Sequence, residues 1–277
     1  MTVFDKAYKK ALKDIMENGI EELSERTGYK TKAIPGLTIE IPAGSGFPLL
    51  TLRKIPLKLF IAEQVWFISG SRRPSEFLHN FTHIWDDFTN IDGVVSTAYG
   101  WRWRHHFGRD QLQLLIELLQ KEPSSRHGVV IAWDPKEDGL SLRKKKNVPC
   151  PYTFVVNIIG GQLHMHNIVR SNDMILGCPH DVAGFALLQR FLAARLGVSV
   201  GKYTHSISNA HIYENHYAAA NEIISRDNKH KDVEITLEKN AFERAEKKDV
   251  ELVNEIFQQL KSHYEPLEAI KGLQIAL

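Results

Sequence analysis

Two cysteines are the candidate nucleophiles of this chain, and each stands next to proline. Cys150 lies between Pro149 and Pro151, directly ahead of a predicted strand, and Cys178 precedes Pro179. Proline favours extended backbone, which suits a thiol that is presented to a pocket. Either cysteine could equally be a small apolar core residue. Proline neighbours alone therefore do not decide which thiol reacts.

Polar groups near the two cysteines suggest an anion site. Arg170 offers a guanidinium fork and Ser171 offers a hydroxyl, at the end of a predicted strand, and this combination suits a phosphate dianion. A further carboxylate, Glu63, interrupts an almost continuous apolar run at residues 57–69. A charged group inside a buried helix needs a specific reason.

Hydrophobic periodicity predicts the elements that position these residues. Helices are predicted within residues 1–25 and at 57–69, 111–119, 181–196, 210–224 and 250–260. Strands are predicted at 37–41, 129–133, 153–159, 162–170 and 232–237, with a hairpin turn at Gly160 and Gly161. Because no linker or repeat interrupts the pattern, we predict a single α+β domain over residues 1–277.

The composition is that of a folded globular protein. Of 277 residues, 43% are hydrophobic and 25% are charged, and 35 Lys and Arg against 33 Asp and Glu leave a net charge of +2. This small surplus gives no general affinity for nucleic acid or membranes, so any anion site must be local. The apolar runs are shorter than the roughly 20 residues that span a bilayer, and the charged N-terminus is unlike a signal peptide. We therefore expect a soluble, cytoplasmic protein.

Thirteen histidines raise the question of a metal site. His164 and His166 alternate along one predicted strand, and His105 and His106 are adjacent, but the sequence offers no Cys or carboxylate that completes a ligand set at metal spacing. We therefore expect no metal. The basic run at residues 143–146 could attract a phosphate, although a solvated loop is the simpler interpretation.

Several motifs occur in an order that resembles the thymidylate synthase family, from about residue 20 to the C-terminus. They are FPLLT at residues 47–51, IWD at 84–86, Cys150, RSND at 170–173 and NAHIY at 209–213. The resemblance implies an α+β fold with a mixed sheet and flanking helices, and a homodimer. In this family a cysteine thiolate adds to C6 of a pyrimidine nucleotide, and C5 then attacks the one-carbon unit of 5,10-methylenetetrahydrofolate.

The resemblance also implies roles for the matching residues. Cys150 resembles the nucleophile, and Arg170 resembles a phosphate ligand that also lowers the pKa of the cysteine. Glu63 resembles the carboxylate that orders water and moves protons near the folate, and Tyr99 resembles the tyrosine near C5. The residues expected to bind the nucleotide are Arg26, Arg126, Arg170, Ser171, Asn172, Asp181, His211 and Tyr213. The residues expected to bind folate are Glu63, Trp85 and Asp173.

Two of these matches make further predictions. His211 and Tyr213 resemble the pair that bonds the sugar 3′-hydroxyl, and Arg126 resembles an arginine that reaches the phosphate bound by the neighbouring subunit. Dimerisation would then complete each active site. Taken singly, Trp85, Tyr99 and Tyr213 could each be core aromatic residues, and a lone histidine is more often structural than functional.

Four positions depart from the thymidylate synthase pattern. Asp181 stands where those enzymes have asparagine, which pairs with O4 and N3–H of uracil. A carboxyl group suits the N4 amine and N3 of cytosine, and against uracil it would leave a buried contact unpaired. Pro151 replaces a histidine, Val169 replaces a glutamine and His127 replaces a second arginine of the phosphate site. The pattern resembles the cytidylate hydroxymethylase branch.

We therefore expect transfer of the one-carbon unit to C5 of CMP or dCMP, with a 5-hydroxymethyl product. Asp181 indicates the base, whereas the hydroxymethyl outcome rests on the resemblance to cytidylate members of the family. A cytidylate C5-methyltransferase and a thymidylate synthase that converts dUMP to dTMP are the alternative enzymes. An inactive paralogue that binds nucleotide or RNA is the alternative from another class. The choice between ribose and deoxyribose stays open.

Overall fold

The structure is a computed structural model that describes residues 1–25, 27–140 and 147–274. Its helices are α1 (Val3–Asn18), α2 (Leu57–Ser69), α3 (Tyr99–Trp101), α4 (Gln111–Lys121), α5 (Gly177–Leu196), α6 (Tyr217–Ser225), α7 (Ala241–Glu246) and α8 (Val250–Lys261). Its strands are β1 (Ile20–Leu23), β2 (Lys30–Ile41), β3 (Val129–Ile131), β4 (Pro151–Ile159), β5 (Gln162–Val169), β6 (Asn172–Asp173) and β7 (Ser199–Tyr213). Short 3₁₀ turns lie at Pro74–Glu76, Leu78–Asn80, Asp86–Phe88 and Glu214–His216, and a π-helical turn at Arg102–His106 follows α3.

Within the described residues, the strands form one mixed sheet with the order β1-β2-β7-β5-β4-β3. Most neighbours pair antiparallel, whereas β5 and the short β6 both run parallel to β7. Side chains alternate along β4, β5 and β7 between fully buried and half-buried positions. One face of the sheet therefore packs on the helical core, and the other face is only partly covered. This mixed sheet with flanking helices confirms the expected α+β class.

Helix α5 crosses the core and carries the site residue Asp181. It begins at Gly177, four residues before the predicted start, because the Asp173 carboxylate accepts the backbone N–H groups of Ile175 and Leu176 and forms a turn that leads into the helix. Pro179 is tolerated in the first turn, where its missing N–H would have no helical partner. The long segment Val182–Ala193 is buried on nearly every side.

Two predicted elements are wrong. The helix predicted at 210–224 begins only at Tyr217, because Ala210–Tyr213 forms the end of β7, paired with β2 on one edge and with β6 on the other. Hydrogen bonds between distant strands override the local helical pattern there. The strand predicted at 232–237 is reduced to a single bridge between Val233 and Phe47.

No helix of the described ranges is long and apolar enough to cross a membrane. The 20-residue helix α5 has the length, but it carries Arg190 and Arg195 and lies in the core of the fold. Its apolar surface is used for packing against α2 and the sheet.

Candidate active site

Cys150 and Arg170 meet where β4 begins and β5 ends. Arg170 N–H donates to the Cys150 carbonyl at 2.9 Å, and its Nη2 lies 3.5 Å from Cys150 Sγ. The guanidinium is aimed by two further bonds, from Nε to Pro149 O at 2.9 Å and from Nη2 to Val148 O at 3.1 Å. A cation beside sulfur stabilises the thiolate, which is the nucleophilic form. The structure thus brings this predicted pair together.

Tyr99 holds the other side of the nucleophile. Its hydroxyl accepts the backbone N–H of Cys150 at 3.0 Å, and burial raises its pKa well above the ordinary value, so that it stays a neutral phenol. The short helix α3, which contains Tyr99, packs so closely against α2 that a Cβ on Gly100 would lie 2.0 Å from Phe67 O. Glycine at this position is what lets Tyr99 reach the cysteine.

Glu63 projects from α2 into the same region, which explains a carboxylate in an apolar helix. Trp85 Nε1 donates to Glu63 Oε1 at 2.6 Å. Burial raises the pKa of Glu63 to about 7, the Trp85 hydrogen bond opposes this shift, and the nearby Asp181 charge adds to it. A carboxyl group that titrates near neutral pH is suited to take and return protons.

Asp181 is the second carboxyl group of the site, and it lies in the second turn of α5. Asn172 Nδ2 donates to Asp181 Oδ2 at 2.8 Å. Burial raises the pKa of Asp181 to about 7, the Asn172 hydrogen bond opposes this, and the charge of Asp173 adds to it. Asp173 itself is occupied in capping the turn before α5. Near neutral pH the Asp181 carboxyl can therefore act both as an acceptor and as a donor.

The two cysteines differ in their surroundings. Cys178 is fully buried, and burial together with the charges of Asp181 and Asp173 raises its pKa well above the ordinary value. Cys150 is only half-buried and has the Arg170 guanidinium beside its sulfur. A fully buried thiol with a raised pKa is a poor nucleophile, so the geometry favours Cys150.

Ser171, between β5 and β6, lies beside His211 of β7. Ser171 Oγ is 3.5 Å from His211 Nδ1, and Nδ1–H donates to Asn209 Oδ1 at 3.0 Å. In a neutral ring Nε2 is then an acceptor, which suits a sugar hydroxyl. Tyr213 packs edge-on against the His211 ring with centroids 5.0 Å apart. The predicted hydroxyl-binding pair is therefore adjacent to the predicted phosphate serine.

Two positions that depart from the thymidylate synthase pattern are direct neighbours. Pro151 of β4 and Val169 of β5 are register partners and both are buried. Each is adjacent in sequence to a residue of the Cys150–Arg170 pair. Apolar side chains thus line the strands beside the nucleophile where polar residues would be expected in a thymidylate synthase.

Comparison with known proteins identifies the family. The chain matches the model of the thymidylate synthase family over residues 6–266. It belongs to the thymidylate synthase family. Among solved structures it is similar to the thermostable thymidylate synthase A from Bacillus subtilis, with 30% sequence identity and a TM-score of 0.73. That match covers 83% of this chain and 87% of the Bacillus subtilis chain.

Membership in the thymidylate synthase family defines the general chemistry of the site. Members transfer a one-carbon unit, use methylenetetrahydrofolate as co-substrate, bind nucleotide and folate, and act as dimers. The grouping of Cys150, Arg170, Tyr99, Glu63 and Asp181 is consistent with that chemistry. A nucleophile with a cation beside it and a carboxyl group that titrates near neutrality are groups that such a transfer can use.

Some predicted residues of the thymidylate synthase site lie apart from this cluster. Arg126 is exposed in the segment before β3. Arg26 and the basic run 143–146 fall outside the described residues. Their assignments to phosphate therefore stay predictions.

Other residues near the site were not assigned a role by the sequence analysis. Asn209 fixes the proton of His211, and it could have been found inside the NAHIY motif. Trp133 lies beneath Arg170, with the guanidinium 5.8 Å from the ring centroid. His205 and Tyr203 lie on the unpredicted part of β7, where His205 contacts Asn172 and Tyr203 contacts His205. No local signal pointed to these last two residues.

In the described part of the chain, two groups of histidine and carboxylate side chains have ligand atoms within 4.8 Å of one another. They are His79 with His83 and Asp86, and His106 with Asp134 and Glu137. The sequence had offered no carboxylate to complete a set around His106, but folding brings Asp134 to 2.6 Å from its Nε2. Arg102 lies 2.9 Å from the same nitrogen and already supplies positive charge there. The absence of a functional metal stays a prediction.

Glu63→Gln is expected to stabilise the protein at alkaline pH. The raised pKa of Glu63 means that the folded state favours its protonated form. The contribution of this group to wild-type stability is therefore fully present below about pH 4 and is lost as pH rises towards 7. The amide keeps an oxygen for Trp85 and cannot ionise. The quantity of interest is the free energy of unfolding of the variant minus that of the wild type. We expect this difference to be larger at pH 8.5 than at pH 4, by on the order of 1–3 kcal/mol.

Urea denaturation at a series of pH values measures this difference. Glu238→Gln, at an exposed position, is the matched control and should follow the wild-type curve. A difference between Glu63→Gln and wild type that does not grow between pH 4 and 7 would contradict the assignment of a buried ionising carboxyl group.

Proposed function

We propose that this member of the thymidylate synthase family transfers the one-carbon unit of 5,10-methylenetetrahydrofolate to C5 of a cytidine nucleotide, CMP or dCMP, and releases the 5-hydroxymethyl nucleotide. The observation that carries the proposal is Asp181, a carboxyl group held by Asn172 next to the nucleophile cluster. The pKa of about 7 lets it accept from the N4 amine and share a proton with N3 of cytosine.

The proposed reaction begins with covalent addition to the pyrimidine ring. The Cys150 thiolate adds to C6, and the electron pair displaced to C5 attacks the one-carbon unit. Loss of the C5 proton and of tetrahydrofolate leaves an exocyclic methylene on the ring. Water adds to this carbon, and expulsion of the thiolate restores the aromatic pyrimidine. In this proposal Glu63, whose pKa is raised to about 7, orders that water and moves its protons, and Arg170, 3.5 Å from Sγ, stabilises the thiolate charge.

The decisive test is a direct assay of the wild-type protein. The wild-type protein is incubated with labelled methylenetetrahydrofolate and with CMP, dCMP or dUMP. The nucleotide products are then separated and identified by mass spectrometry. The proposal expects label in a hydroxymethyl cytidylate and tetrahydrofolate as the folate product. A methyl cytidylate with dihydrofolate would identify the methyltransferase instead, and preferred conversion of dUMP would identify a thymidylate synthase.

We further propose that two copies pair through the partly covered face of the sheet and share their active sites. The half-buried residues of β5 and β7, among them His166 and Ser206, form a mixed polar and apolar face that the helices of the same chain do not cover. Arg126 is exposed in the segment that leads into the edge strand β3, consistent with reaching the phosphate held by a second copy. Such a pair is an isologous dimer.

Subunit mixing tests whether the sites are shared. Arg126→Ala and Cys150→Ala homodimers are each expected to be inactive, and after subunit exchange one hybrid site per heterodimer regains both groups. Random exchange should restore about a quarter of wild-type activity. Arg170→Ala mixed with Cys150→Ala is the matched control, because those two residues lie 3.5 Å apart in one chain. Equal recovery in both mixtures, or none with Arg126→Ala in exchanged heterodimers, would contradict sharing.

A further inference from the structure

A buried triad of polar residues, Tyr203, His205 and Asn172, lies behind the Asp181 carboxyl group. Tyr203 Oη is 2.9 Å from His205 Nδ1, His205 Nε2 is 3.0 Å from Asn172 Oδ1, and Asn172 Nδ2 is 2.8 Å from Asp181 Oδ2. All three triad residues are at most 3% exposed. The hydrogen bonds therefore run from the core of the sheet to a carboxyl group that is only half-buried.

The direction of these hydrogen bonds is determined by the imidazole. Burial lowers the pKa of His205 to about 3, with the neighbouring His166 adding to the effect, so the ring is neutral and carries one proton. Because the Asn172 oxygen can only accept, that proton is on Nε2, and Nδ1 accepts the Tyr203 hydroxyl. Asn167 Nδ2, at 3.3 Å, also faces Nδ1 as a donor, which agrees with an unprotonated Nδ1.

This direction assigns the two oxygens of Asp181 different tasks. His205 holds the Asn172 oxygen, so the Asn172 amide must turn its NH₂ group towards Asp181, and Oδ2 of Asp181 is an acceptor. A proton shared by the carboxyl group is then favoured on Oδ1, away from the amide hydrogens. A carboxyl group with one acceptor oxygen and one proton-bearing oxygen matches the N4 donor and N3 acceptor of cytosine.

The local packing preserves the contact between Asn172 and Asp181. A Cβ on Gly177 would lie 3.0 Å from Asn172 Nδ2 and 3.7 Å from Asp181 Oδ2. Glycine at this point of the first turn of α5 leaves the room that the amide needs. A phenylalanine or leucine in place of His205 could fill the same core volume, so packing alone does not require a polar chain here.

We propose that Asn172, His205 and Tyr203 are positioning residues that hold Asp181 in the orientation that reads cytosine. The proposal rests on the proposed cytidylate function. Two of these residues, His205 and Tyr203, would influence base selectivity without touching the base or the reacting atoms. Their removal should change the preference between pyrimidines rather than activity in general.

The test compares kcat/KM for the better cytidylate with kcat/KM for dUMP in four variants. His205→Phe removes the donor to Asn172 at similar volume, and Tyr203→Phe removes only the distal hydroxyl. Both should lower the cytidylate-to-uridylate ratio, His205→Phe by about tenfold or more, because a buried polar partner is left unpaired. His205→Gln retains an N–H donor in place of Nε2 and should keep the ratio within about threefold of wild type.

Tyr8→Phe is the matched control, because Tyr8 is also fully buried and its hydroxyl donates to Met174 O at 2.5 Å, outside the triad. It should lower stability and leave the ratio unchanged. A wild-type ratio in both His205→Phe and Tyr203→Phe would overturn the positioning role, and so would an equal loss with both bases. If His205→Phe does not fold, Tyr203→Phe decides. Wild type that prefers dUMP would refute the cytidylate function itself.

Discussion

Replacing Cys150 with alanine is expected to abolish exchange of the pyrimidine C5 proton. Without addition of the thiolate at C6, the electron pair at C5 that accepts the proton cannot form. Release of tritium from 5-tritiated cytidylate, in the presence of folate, measures this step apart from product formation. We expect the exchange rate to fall by roughly 10⁴-fold or more, as losses of a catalytic nucleophile typically do.

Cys178→Ala is the matched control for this experiment, since Cys178 is fully buried and its pKa is raised by burial. It should retain most of the exchange activity, with a modest loss of stability from the small cavity. Exchange that survives Cys150→Ala and disappears in Cys178→Ala would show that the wrong cysteine has been assigned. A Cys150→Ser variant separates the loss of the thiolate from the loss of the side chain's volume.

The sequence predicts well those elements that local signals define. Helix α2 has the predicted bounds, because its apolar run lies between Pro56 and Gly70, whose φ of 74° ends the helix in the left-handed conformation. The β4–β5 hairpin likewise follows from two glycines at positive φ. Strand β7 has no comparable signal. Its last four residues look helical, and only pairing with β2 and β6, distant in sequence, makes them extended.

In the candidate site, too, local motifs predict some residues, whereas others depend on contacts between distant parts of the chain. The family resemblance identifies Cys150, Arg170 and Tyr99, and folding brings both Arg170 and Tyr99 into contact with Cys150. The buried triad could not be predicted from the sequence, because His205 lies on the unpredicted strand and its partner Asn172 is 33 residues away along the chain. A histidine on an apolar strand has no local feature that separates a structural role from a positioning one. Only its partners reveal the difference.

Asp181→Asn is expected to shift the enzyme from cytidylate to uridylate. His205 holds the Asn172 oxygen, so the Asn172 NH₂ group would donate to the oxygen of the new amide at position 181. The NH₂ group of the new amide would then face the base, where it can donate to O4 of uracil. Sites that leave a buried polar group unpaired discriminate by roughly 10⁴-fold, so the ratio of kcat/KM for cytidylate and dUMP should change by a comparable factor.

Rotation of the new amide is the main route by which cytidylate activity could survive in Asp181→Asn. A rotated amide would set its NH₂ group against that of Asn172, so the triad opposes rotation and residual activity should be small. Asp181→Asn combined with Tyr203→Phe loosens the triad and should recover part of the cytidylate activity. A change of only about tenfold in Asp181→Asn would mean that buried neighbours such as Pro151 and Val169 share the selection of the base. If the wild-type protein prefers dUMP over both CMP and dCMP, Asp181 does not select cytosine.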